Sequence, residues 1–140
     1  MIIKGKLIVC KREVRKFDGK EQKEQLYITL AETKLTEKQL EELKEAFKDS
    51  GKKFTPDWVL DPKGFVNTKT TFELPCRDLQ GTDHASIEDF ITDSNFPWMG
   101  AEVKLSLNVK EGAVYPLAIL FLTEGTPFNP FAEFDNETED

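Results

Sequence analysis

Between Ala101 and Val109 every second residue is apolar: Val103, Leu105, Leu107 and Val109 alternate with Glu102, Lys104, Ser106 and Asn108. A period of two specifies a strand with one covered and one open face. Glu111-Gly112 then turns the chain into Val114 to Leu122, a near-continuous apolar run that reads as a strand buried on both sides. A lone hairpin is marginal in water, so this pair requires further strands against its apolar face. The rest of the chain has to supply them.

It does so at the N-terminus. Residues 2–17 (IIKGKLIVCKREVRKF) read as one long strand, with Ile3, Gly5, Leu7 and Val9 on one face and Lys4, Lys6, Ile8, Cys10 and Arg12 on the other. Gly5 marks a bend or bulge of the kind coiled barrel strands use. Asp18-Gly19 is a hairpin turn signal leading into a second strand at 24–32, where Leu26, Ile28 and Leu30 point inward and Gln25, Tyr27 and Thr29 outward. A helix follows at about residues 36–50: Thr36 with Gln39 forms a capping box, Leu40, Leu43, Ala46 and Phe47 form the apolar stripe, and Ser50-Gly51 ends it. Its mixed-charge opposite side reads as a solvated face. Residues 52–64 are irregular, Phe65 to Leu74 is a Thr- and aromatic-rich strand, and 75–99 is a connection with a short helix at Ser86–Ile91. About five strands and one main helix predict a mostly β domain. The economical solution is a five-stranded, OB-fold-like barrel with the helix inserted, because a closed or nearly closed barrel removes exposed edges. Residues 1–126 form this domain and 127–140 a disordered acidic tail.

The 140 residues, 39% hydrophobic and 32% charged, suit one globular domain. No stretch reaches the ~20 apolar residues of a membrane span, and the N-terminus lacks a signal-peptide layout, so the expectation is a cytoplasmic protein with no membrane partner. Cys10 and Cys76, with one histidine, fall short of a four-ligand zinc site and read as buried, reduced thiols. His84 lies in a polar loop remote from either cysteine, and no phosphate-loop, GxSxG or HExxH pattern is present. The acidic stretch Asp78, Asp83, Glu88, Asp89, Asp93 matches no EF-hand spacing and reads as solvated. The expectation is a protein that is not an enzyme and has no metal and no cofactor.

Charge is the more informative property. The net charge is −7, yet residues 1–71 hold 16 basic and 12 acidic groups, and the last fourteen residues hold five acidic groups and no basic one. A basic half in an acidic protein suits a polyanion partner. Single-stranded nucleic acid needs cations along its phosphates and flat rings under its bases. Lys4, Lys6, Lys11, Arg12, Arg15, Lys16, Lys69 and Lys104 supply the first; Tyr27, Trp58, Phe65 and Trp98 supply the second, with Lys20, Lys110 and Tyr115 as further contributors. The tryptophans read equally well as plugs at the barrel ends, and lysines on an exposed strand also block edge pairing.

Gly64-Phe65-Val66-Asn67, Met99-Gly100-Ala101-Glu102-Val103-Lys104-Leu105, Tyr115-Pro116-Leu117-Ala118-Ile119-Leu120 and the acidic tail together resemble phage-type single-stranded-DNA-binding proteins of OB-fold type. The resemblance implies a barrel that cups single-stranded DNA in phage DNA replication or recombination within the host cytoplasm. It also implies a tail that recruits replication or recombination proteins or competes for the groove. The tail residues at issue are Phe128, Phe131, Phe134, Glu133, Asp135, Glu137, Glu139 and Asp140. Such tails often end in phenylalanine; here the end is Glu139-Asp140, and the aromatic residues are set back. A homodimer is also compatible with the sequence. The alternative expectation is an acidic protein-binding module or nucleic-acid mimic that inhibits a host enzyme.

Overall fold

The computed structural model describes residues 1–48 and 64–125 together with residue 134. Trp58, and the tail apart from Phe134, lie outside the described residues. Among those described the elements run β1 (Ile2–Glu13), β2 (Lys16–Phe17), β3 (Lys20–Glu21), β4 (Gln25–Ala31), α1 (Glu37–Phe47), β5 (Val66–Thr70), β6 (Cys76–Arg77), β7 (Asp83–His84), α2 (Ile87–Ser94), β8 (Ala101–Lys110) and β9 (Ala113–Phe121).

The main sheet has the order β5-β4-β1-β8-β9-β6-β7, antiparallel except for the β6–β9 contact. Its five long strands, β5-β4-β1-β8-β9, give the expected mostly β, OB-fold-like architecture. Closure differs from a sealed barrel: β5 and β9 approach one another across the remaining gap, but no ladder joins them among the described residues. The short β6–β7 hairpin sits on the outer end of β9 instead.

Local signals explain most elements. Asp18 and Gly19 both adopt positive φ (51° and 75°), as a tight two-residue hairpin turn demands, but the turn closes a separate hairpin, β2–β3. Thr36 Oγ1 accepts from the Gln39 amide and Gln39 Oε1 accepts from the Thr36 amide, both at 3.1 Å. Gln39 Nε2 also donates to the Ile2 carbonyl at 2.9 Å, which pins the cap to β1. Ser86 caps α2 from its side chain, and Asn95 at φ 51° ends it.

The core joins Leu7, Leu26, Ile28, Leu30, Val66, Leu105 and Ile119 from the strands to Leu43 and Phe47 of α1 and Leu74 and Ile87 near α2. At residues 2–7 the alternation is as expected. Between Leu7 and Val9 the pairing with β4 slips by one residue, so Ile8 is the extra residue of a bulge. Beyond it the faces exchange. Cys10 now pairs with Ile28 and Arg12 with Leu26, both inward positions, whereas Val9 and Lys11 join Thr29 and Tyr27 on the outer face. The bulge therefore lies at Ile8 rather than Gly5. Gly5 serves a close approach instead, with Leu30, Ala31 and Thr33 crowding its missing side chain.

Two further expectations are corrected. β9 is covered on one face only: Tyr115, opposite Asn108 on the groove side, is 45% exposed, and Leu117, skipped where the ladder passes from Ser106–Ala118 to Leu107–Pro116, is 48% exposed. The strand expected over Phe65 to Leu74 ends at Thr70, where the Phe72 amide turns back to donate to Thr70 Oγ1 at 3.1 Å.

Both cysteines are unpaired, Cys76 fully and Cys10 partly covered. Burial pushes the Cys10 thiol from 9.0 up to about 12, with Glu88 and Cys76 adding to it. Burial likewise raises Cys76 to about 11, reinforced by Asp78 and Asp83. Folded values above unfolded ones mean that the thiols' contribution is fully present below about pH 9 and is lost as pH rises toward 11–12. The native protein is expected to resist iodoacetamide at about pH 8 and to be alkylated at both cysteines in urea. Prompt alkylation of the native state would contradict this burial.

Candidate nucleic-acid interface

The slip at Ile8 aligns a row across three strands: Lys11 on β1 faces Tyr27 on β4, which faces Lys69 on β5. One step along, Val9, Thr29 and Asn67 form the next row, with Thr29 Oγ1 2.8 Å from Asn67 Oδ1. Above these rows lies a groove of about 560 Å³. Its walls are Arg15 from the chain entering β2, Gln25 and Tyr27 from β4, Asn67 to Lys69 from β5, and Gly112 to Tyr115 from the β8–β9 turn and the start of β9. The turn is possible because Gly112 takes φ 73°.

Tyr27 is on the expected face but is only 8% exposed. The Arg15 guanidinium covers it, its central carbon 3.6 Å from the ring centroid, a cation–π contact. Arg15 Nε also donates to Glu13 at 2.7 Å, and Lys11 reaches the same carboxylate at 3.2 Å. Hydrogen bonds from Arg15 and then Lys11 hold the Glu13 carboxyl below its usual range. Two cations thus converge on one partly exposed carboxylate, and one of them also covers the Tyr27 ring; surface pairs of this kind are weak.

The remaining predicted residues are distributed differently. Lys4, Lys6 and Lys104 lie on the outer face of β1 and β8, on another wall, where Lys6 pairs with Glu32 at 3.1 Å. Lys16 is in the β2–β3 hairpin. Arg12 points to the barrel end and is occupied there. Its Nε lies 3.0 and 3.1 Å from the two Glu88 oxygens, its Nη2 is 2.8 Å from Glu88, and its Nη2 also donates to the Phe72 carbonyl at 3.3 Å. That network, chiefly the hydrogen bond to Glu88, raises the Arg12 pKa and ties β1 to α2. Trp98 is half-buried against the core, Phe65 is half-buried just ahead of β5, and Phe134 is exposed.

Asn67, Gln25 and Gly112 also line the groove, although the sequence marks them only as strand and turn residues and not as contacts for a ligand. They are neither charged nor aromatic, and only the strand register brings them together. His84 is held elsewhere: its Nε2 is 2.8 Å from Asp78, and its ring stacks on Phe90 at 4.4 Å. The hydrogen bond from His84, followed by one from the Thr82 amide, lowers the Asp78 pKa. Among the described residues no group of three or more histidine, cysteine or carboxylate side chains is placed to hold a metal, and no helix is long and apolar enough to cross a membrane.

In OB-folds the outer face of the second and third strands, bounded by the first and last hairpin loops, is where oligonucleotides lie. Here those elements are β4, β5, the 14–24 segment and the β8–β9 turn. No family model and no curated protein matches the chain. Among solved structures it is similar to the single-stranded DNA-binding protein from bacteriophage Enc34 in complex with ssDNA. The TM-score is 0.54 and the identity 15%, and the match covers 91% of this chain and 89% of that one. At this identity the likeness is one of fold.

Proposed function

We propose that the protein binds single-stranded DNA with little sequence preference, as a non-catalytic protein that coats and protects the strand in phage DNA replication or recombination. The observation that carries this reading is the groove on β4 and β5, which Arg15 and Lys69 line together with Tyr27 and the exposed Tyr115, with Lys11 beside Tyr27 on β1. The fold likeness to a protein captured with ssDNA supports it. Phosphates replace Glu13 on Arg15 and Lys11, and a base stacks on the exposed Tyr115, while Tyr27 holds the Arg15 guanidinium in place. Stacking on a ring is tolerant of base identity, since every base has a π-face.

The test is a fluorescence titration with oligo-dT across a salt series. Binding at about 50 mM salt that weakens linearly in log–log form is expected, from counterion release. Absence of binding at that salt would sink the reading. We assign the acidic tail a role in competing for the groove or recruiting replication and recombination proteins. Deleting residues 133–140 is then expected to tighten DNA binding at low salt, and unchanged affinity would remove the competing role. A second reading, an acidic protein-binding module or nucleic-acid mimic, is favoured by the recess lined by Asp78, Asp83, Asp89 and Asp93. It requires no oligonucleotide affinity and retention of a host nucleic-acid enzyme.

A further inference from the structure

The wall formed by β1, β8, β9 and β6 carries two parallel rows of outward side chains. In one, Lys4 faces Lys104, Lys104 faces Leu120, and Leu120 faces Arg77. In the other, Ile2 faces Ser106 and Ser106 faces Ala118. Between and over them lies a groove of about 420 Å³ whose lining includes Ile2, Ser106, Ala118, Leu120, Lys104 and Arg77. Ile2 is 61% exposed there, and no ion pair reaches Lys4 or Lys104 among the described residues. Like charges placed directly opposite on neighbouring strands destabilise a sheet. Arg77 is answered by Asp83 at 2.6 Å; the two lysines are not answered.

We propose that this groove is a docking site for an extended acidic peptide of a partner protein, carrying apolar side chains next to its carboxylates. A row with Ile2 and Ala118 on either side of Ser106, beside a row in which Lys4 and Lys104 are neighbours, suits such a segment. Apolar side chains cover Ile2 and Ala118, and carboxylates neutralise Lys4 and Lys104. Single-stranded DNA fits this wall poorly, since no aromatic ring lines it and bases need flat partners. Charge complementarity sets the orientation and the salt dependence, while the apolar row supplies the contact area. The inference does not depend on DNA binding, because the β4–β5 groove is lined by other residues.

The test uses the full-length protein and a synthetic peptide alternating glutamate with phenylalanine, compared with the same peptide carrying lysine for glutamate. Saturable binding of the acidic peptide alone is expected, with amide-shift changes at Ile2, Ser106, Ala118 and Leu120 and no displacement of oligo-dT. Ala118→Glu and Lys104→Glu are each expected to weaken peptide binding at least about tenfold, and Ala118→Glu to leave oligo-dT binding unchanged. Four outcomes would overturn the proposal: no binding, shifts at Tyr27, Lys69 and Tyr115 instead, oligo-dT shifting the β1–β8–β9 wall, or self-association of the protein through that wall. The shift map is read on the unsubstituted protein, so it decides the matter even where a variant fails to fold.

Discussion

Tyr115→Ala is expected to lower affinity for oligo-dT by about 1–3 kcal/mol, roughly five- to 150-fold, the loss of one stacked base. Tyr115 is 45% exposed, stands on the outer face opposite Asn108 and belongs to the wall of the β4–β5 groove. It takes no part in the buried core, so the urea midpoint should hardly move. Tyr115→Phe keeps the ring and should keep most of the affinity. Lys69→Ala gives a different signature from across the groove: a uniform weakening across base compositions, with the slope of log K against log salt reduced by about 1. If Tyr115→Ala binds like the parent while Lys69→Ala does not, the groove is an electrostatic channel without stacking. If neither variant differs from the parent, the DNA path lies elsewhere.

The second large effect is on stability. Gly5→Ala is expected to cost at least about 1–3 kcal/mol, the range for overpacking a well-filled site. A Cβ at residue 5 would stand 2.6 Å from Thr33 Cγ2, 2.8 Å from the Ala31 carbonyl oxygen and 3.1 Å from Leu30 Cβ. Thr33 can rotate away, but the backbone oxygen cannot without disturbing β4. β1 cannot shift either, since residues 2–7 are laddered to β8 on the other side. Urea unfolding monitored by circular dichroism should show a lower midpoint with an unchanged slope. A midpoint equal to the parent's would mean that β1 and β4 are less tightly apposed than described.

The parts of this fold that could be read directly were those where one short-range rule acts. Thr36 and Gln39 announce a capping box, and the structure contains it. The alternation from Val103 to Val109 and the Glu111-Gly112 turn produce β8 and β9 nearly residue for residue. What escaped was decided by partners distant in sequence. In Leu7-Ile8-Val9-Cys10 all four residues are apolar enough to face either way, so only pairing with β4 reveals that Ile8 is supernumerary. β6 and β7 are two residues each, too short for any periodicity, and exist because Cys76 and Arg77 lie along β9. Tyr27 was correctly assigned to the outer face, but its cover, Arg15, arrives from a loop whose path alternation does not describe. Arg12 shows the same limit in reverse: it reads as a DNA-facing cation, and the exchange of faces delivers it to Glu88.

The single extra residue at Ile8 makes one strand serve two masters. Upstream of it the outward lysines, Lys4 and Lys6, belong to the β8 wall; downstream, Lys11 belongs to the β4 wall. Were Ile8 laddered in place rather than bulged, the alternation would run on and turn Lys11 toward the interior and Arg12 toward solvent; deleting Ile8 would leave both as they are, since Val9 to Arg12 already pair in step with Thr29 to Leu26. In that laddered register Glu88 would lose its partner as Tyr27 lost its neighbouring cation, a double lesion on folding and on ligand affinity together. The slip in register, rather than the side chain at residue 8, is therefore what assigns each cation to its wall.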